Sequence, residues 1–227
     1  MYIKQILLVL GLLIIILYNS SVSRVETFNN NIKNNTSVVL LGDSILKNNS
    51  YVKNGFAVDE LLRKKCLLEN ITITNYARED AQLSDVYEQI DTTLGSILNS
   101  TTTNIIFLSV GGNNIIEKNT LTGKVTKSDV DAIFEKYKKV IDIIKMKQPN
   151  SKLFLLNIYH IYDAKLNPVI DNWNELLFSQ YTNIVDINSL LSQPSDLIFK
   201  IEPSETGGDK IATKLKDIIL QTTYSLA

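Results

Sequence analysis

The chain has 227 residues, 44% of them hydrophobic and 21% charged, with a formal net charge of −1. That length and apolar share support one globular domain with a buried core. The even balance of acids and bases argues against the basic face that nucleic-acid binding requires, and a single cysteine, Cys66, excludes an internal disulfide.

In chain order, the first element is apolar. Lys4 precedes an uninterrupted apolar run at 6–18. The run is shorter than the ~20 residues of a spanning helix and matches the apolar region of a signal peptide. Small residues at 20–23 offer a cleavage site; taken together with Tyr2, Ile3 and residues 19–25, the same run serves as a signal anchor. Residues 1–22 are therefore read as a signal peptide or signal anchor. Either places the rest of the chain on the non-cytoplasmic side, membrane-anchored or secreted, with the N-terminal segment as its membrane contact. Residues 23–36, with "NNNIKNNT", form a polar tether. Sequons begin at Asn19, Asn34, Asn35, Asn48, Asn70 and Asn99, as a glycoprotein would have. An asparagine-rich chain also generates such triplets by composition alone, and Asn48 stands close to a motif at Ser44.

From residue 37 onward, short apolar runs alternate with amphipathic stretches. Strands are predicted at 37–41, 71–75, 104–110, 152–158 and 184–187. Helices are predicted at 58–68, 83–98, 128–148, 169–180 and 206–224. Cys66 falls in the first of these and reads as a buried, inert thiol. Ser128 is the expected cap of the long helix, with Asp129 and Asp131 near its positive end. Lys136, Lys138 and Lys139 read as its solvated face. Continuous apolar strands separated by helices imply a parallel sheet covered on both faces, so 37–227 is one α/β domain. Ligands bind such a sheet beyond the carboxyl ends of its strands. The loops after Leu41, Asn75, Val110, Ile158 and Ile187 are thus where a site would assemble.

Three of those loops carry suitable chemistry. Gly42-Asp43-Ser44 follows the first strand, and its glycine permits a tight exit. "NYAREDAQLSD" follows the second, and "SVGGNN" closes the third, where two glycines let Asn113 reach the same space. A serine, a side-chain amide and backbone donors are the parts of an acyl-transfer site with an oxyanion hole.

With "LLGDSILKNNSYV", "LSVGGNN" and "IEPSETGGDKIA" at these places, the chain resembles the SGNH, or GDSL-type, hydrolases over 38–220. The resemblance implies a flavodoxin-like three-layer α/β/α fold with a five-stranded parallel sheet. It also implies serine hydrolysis of a small-molecule or glycan ester, as in esterases and deacetylases, with no metal and no cofactor. Ser44 would be the nucleophile, and its N–H, the Asn113 amide and the Asp80 N–H would be the oxyanion donors. Asp80 stands where the family usually has glycine. The family's Asp-x-x-His is here Phe199-Lys200-Ile201-Glu202, so the resemblance assigns the base to Glu202, a weaker base than histidine at its ordinary pKa of about 4.3. His160, the single histidine, follows the fourth strand and is the alternative base. The competing reading is an inactive SGNH-fold domain that binds a glycan or acylated ligand at a membrane surface. Structural roles are also open: Glu202 bonding backbone donors at the last helix, Asn113 fixing a loop, Asp43 in a turn. Trp173, Tyr159 and Tyr162 read as packing residues and Arg78 as a surface arginine.

Overall fold

A computed structural model of the chain describes residues 36–93, 103–161 and 164–224. The apolar run at 6–18, the tether to residue 35, the sequons at Asn19, Asn34, Asn35 and Asn99, and Tyr162 lie outside them. No helix among the described residues is long and apolar enough to cross a membrane.

Five parallel strands form the sheet: β1 Thr36–Gly42, β2 Ile71–Asn75, β3 Thr103–Ser109, β4 Lys152–Leu156 and β5 Ile184–Val185, in the order β2-β1-β3-β4-β5. The helices are α1 Val58–Lys65, α2 Leu83–Thr93, α3 Gly112–Thr122, α4 Lys127–Lys147, α5 Asn167–Gln180 and α6 Glu205–Tyr224. This is the flavodoxin-like strand order, whose topological switch point falls between β1 and β3.

Alternation along each strand divides the core into two layers. Val39, Leu41, Ile106, Leu108 and Leu155 face α2, α4 and α5, where Phe134 and Tyr137 each pack edge to face on Trp173 with ring centroids 5.1 Å apart. Val38, Leu40, Ile105, Phe107 and Val185 face α1 and α6, against Leu62, Ile211, Leu215 and Ile219. Cys66 is buried in this second layer, as its helical pattern suggested.

Several predicted boundaries shift. The stretch after Val110, expected as a loop, is instead helix α3. Its sequence, "GNNIIEKNTLT", buries only Ile115, so it has almost no apolar stripe to reveal it. Thr126, not Ser128, caps α4: its hydroxyl accepts from the Asp129 N–H, and Asp129 accepts in return from the Thr126 N–H, a reciprocal capping box. The first helix stops at Lys65, and β5 has two residues rather than four. A two-stranded hairpin, β6 Leu197–Ile198 with β7 Glu202–Pro203, precedes α6 and has no counterpart among the predicted elements.

Candidate active site

The register of β1 against β3 sets the floor of the site. Gly42 pairs with Ser109, and the Asp43 N–H donates to the Ser109 carbonyl at 2.9 Å. Gly42 has φ 120°, and a Cβ there would lie 1.7 Å from the Ser109 oxygen, so only glycine fits this strand exit. The Gln89 amide grips it from α2, accepting from the Gly42 N–H and donating to its carbonyl.

The turn that follows is held by Asp43. Its Oδ1 accepts from the Ser109 hydroxyl at 2.8 Å and from the Ile45 N–H at 3.3 Å. Burial pushes the Asp43 carboxyl up to about 7, with a smaller contribution from the nearby Glu202 charge and with these hydrogen bonds opposing the rise. The turn role expected of Asp43 is therefore seen, at a buried carboxyl.

Ser44 is buried at the carboxyl end of β1, and its hydroxyl donates to Glu202 Oε1 at 3.1 Å. Glu202 comes from β7 and is buried, as Ser44 is, and its Oε2 has no hydrogen-bond partner among the described residues. The helix-start role considered for Glu202 belongs to another residue: Ser204 accepts from the Gly207 N–H and caps α6. Glu202 has its pKa raised, first by burial and further by the charges of Asp80 and Glu79, while the Ser44 hydrogen bond lowers it. A carboxylate so shifted is a better match to a serine proton near neutral pH than an exposed one.

Asp80 lies in the turn closed by the Ala81 N–H on the Arg78 carbonyl, and its φ is 58°. That left-handed conformation explains why glycine would be favoured here, and Asp is among the few other residues that adopt it. The Asp80 backbone therefore takes a glycine-like course despite its side chain. The N–H groups of Ser44 and Asp80 donate to no acceptor among the described residues. Asn113, near the start of α3, donates one amide hydrogen to the Ala81 carbonyl at 3.0 Å, and Asn114 bonds Gln82 and the Leu83 N–H. The loop-fixing role of Asn113 is thus present, and its second amide hydrogen remains available. Gly111 makes the approach possible: at φ 118°, a Cβ would lie 2.6 Å from the buried Trp173 ring.

Ser44, Asn113 and Glu202 line one cleft with Ile116, Ile158, Tyr159, Ile161 and Ile201. His160 is not among its lining residues. Its ring bonds Asp171 at 2.7 Å and borders a separate groove with Asn188 and Gln193. Arg78 pairs with Glu88 and Asp85 on the surface, and Trp173 and Tyr159 are buried. Asn48 is fully buried, with its amide donating to the Pro203 carbonyl and its oxygen accepting from the Val58 N–H, which leaves no room for a glycan. Two contributors were not read from the sequence. Ser109 could have been found from the strand register; Tyr159, whose hydroxyl donates to the Ile201 carbonyl at 2.5 Å and fixes the loop before Glu202, had no such signal.

Solved structures with this fold exist. A lipolytic protein of the G-D-S-L family from Veillonella parvula superposes with a TM-score of 0.64 at 18% identity, covering 82% of this chain and 99% of its own. The chain has the fold of the GDSL lipolytic proteins. A lipase/acylhydrolase from Enterococcus faecalis shares the GDSL fold at TM-score 0.56 and 14% identity, over 84% of this chain and 96% of its own. An acetyl xylan esterase does so at TM-score 0.58 and 16% identity, over 80% and 98%. No protein-family model and no curated protein sequence matches the chain.

Proposed function

We propose that the chain is a serine ester hydrolase of the SGNH type, with Ser44 as nucleophile and Glu202 as its base. The observation that carries this reading is the 3.1 Å hydrogen bond from the Ser44 hydroxyl to a buried, pKa-raised Glu202 carboxyl in a cleft at the switch point of the sheet. Fold likeness to GDSL lipolytic proteins, a lipase/acylhydrolase and an acetyl xylan esterase supports the same class.

In this mechanism Ser44 Oγ attacks the ester carbonyl carbon as its proton passes to Glu202 Oε1. The resulting oxyanion is held by the N–H groups of Ser44 and Asp80 and the second amide hydrogen of Asn113. Glu202 returns the proton to the departing alkoxide, leaving Ser44 acylated and an alcohol released. Water then attacks the acyl carbon and gives its proton to Glu202. Collapse of the second tetrahedral species breaks the bond to Ser44, which takes the proton back, and a carboxylic acid leaves.

The apolar run at 6–18 supports a location outside the cytoplasm, membrane-anchored or secreted; fractionation of cells expressing the full chain would test that. The activity itself is tested by steady-state hydrolysis of 4-nitrophenyl acetate. Turnover by the wild-type chain that disappears in Ser44→Ala is expected. Equal turnover by both proteins would overturn the reading.

A further inference from the structure

Among the described residues, the non-glycine positions with positive φ are Asp80, Phe199 and Lys200. Phe199 and Lys200 lie within three positions of Glu202 in the chain, and the Asp80 charge reaches Glu202. Asp80 is accounted for as an oxyanion donor. Phe199 at φ 50° and Lys200 at φ 72° form the tip of the β6–β7 hairpin, in a turn closed by the Ile201 N–H on the Ile198 carbonyl. Such a turn favours Asn-Gly, and a bulky aromatic at positive φ is an outlier. Strain of this kind persists where the surroundings impose it, and it clusters at functional sites. Here the strained residue is also apolar and 70% exposed, three positions before the base.

Phe199 does not stand alone. Its ring lies edge-on to Tyr51, with centroids 6.3 Å apart, and the Glu202, Asp80 and Glu79 charges reach Tyr51. The aromatic pair therefore stands within reach of the Glu202 charge, outside the residues that line the cleft itself. Beyond Tyr51 an open groove of about 560 Å³ runs between the 50–53 loop and the start of α6. Apart from Tyr51, Val52 and Ile198, its walls are hydrogen-bonding groups, Ser50, Lys53, Ser195, Ser204 and Glu205 among them. Inward, the space beside Ser44 is only about 40 Å³ and is walled by isoleucines such as Ile116, Ile158 and Ile201. At about 10–15 Å³ of such volume per water-sized group, it holds roughly three heavy atoms.

Building on the hydrolase reading, we propose that the ester is divided across these two spaces. A two- or three-carbon acyl group enters the isoleucine pocket, and a pyranose ring of a carbohydrate alcohol stacks on Tyr51 and Phe199. Sugar rings present C–H faces to aromatic side chains and hydroxyls to the polar groups of the groove. Lys53 already pairs with Glu205 and the Ser204 hydroxyl with the Ser195 carbonyl, so the groove is a hydrated polar surface that suits a sugar better than a lipid chain.

Acetate release from a panel of O-acetylated pyranosides, with ethyl acetate as the sugar-free reference, tests this in the full chain. The expected result is a KM about tenfold lower for at least one pyranoside acetate than for ethyl acetate, the range one aromatic contact supplies. Phe199→Ala should erase that advantage while leaving ethyl acetate turnover within about twofold, since the removed side chain is mostly exposed. 4-Nitrophenyl octanoate should be hydrolysed more than about tenfold more slowly than the acetate. Pyranoside acetates handled no better than ethyl acetate, an octanoate that outruns the acetate, or a Phe199→Ala loss that falls equally on ethyl acetate would each overturn the proposal while the Ser44 hydrolase reading stands. A chain inert on ethyl acetate and on every other ester would overturn both.

Discussion

Ser44 Oγ and Glu202 Oε1 meet at 3.1 Å although 158 residues separate them in the chain. Ser44 is fixed by the exit of β1 and Glu202 by a short hairpin that Tyr159 ties down through the Ile201 carbonyl. Since Glu202 must be ionised to accept the serine proton, kcat/KM should rise with pH through a value above the ordinary glutamate range, because burial raises it. Glu202→Gln should abolish that limb and lower kcat by about 100-fold or more, the usual share of a general base. A pH–rate profile of each protein with 4-nitrophenyl acetate measures both.

Asp80 works against the site in two ways. Its left-handed backbone costs about 1 kcal/mol relative to glycine, and its charge stands near a developing oxyanion and near Glu202. Asp80→Gly should therefore keep or raise thermal stability, raise kcat, and move the acid limb of the pH profile downward. A lower kcat with an unmoved limb would show that the carboxylate has a positive role.

Asp43 has its carboxyl raised from 3.8 to about 7 in the folded chain. The folded state therefore binds the proton more tightly than the unfolded one, and stability falls as pH rises. The contribution is fully present below 3.8 and is lost through about pH 7. Asp43→Asn should flatten the fall in chemical-denaturation stability across that window. An unchanged slope would mean the proton is held elsewhere.

His160 bonds Asp171 and is not among the residues lining the Ser44 cleft. His160→Ala should leave kcat within about twofold, as surface substitutions usually do. Loss of turnover with retained folding would assign the base to this residue.

The sheet and its helices were legible because buried parallel strands read as continuous apolar runs whose order follows from the alternation. What escaped was carried by weak local signals. Helix α3 has a single buried apolar residue, and the β6–β7 turn places Phe and Lys where a glycine or asparagine would have announced it. The Thr126–Asp129 capping box had the right spacing in "TKSD", yet Ser128 also has a capping side chain. For the site, the sequence supplied Ser44 and Asn113 as residues at neighbouring strand ends, and resemblance supplied the Asp80 backbone and Glu202. The buried carboxyl of Asp43 and the aromatic pair Tyr51–Phe199 depend on tertiary contacts that no local pattern encodes.

The rate at which a fluorophosphonate labels the chain as a function of pH tests the Ser44–Glu202 pair most directly, since the nucleophile reports the ionisation of its base. Wild-type protein should be labelled at Ser44 with a rate that climbs with pH, Ser44→Ala should not be labelled, and Glu202→Gln should react about 100-fold more slowly. Labelling of Glu202→Gln at the wild-type rate, or a wild-type chain that takes no label at any pH, would contradict the account.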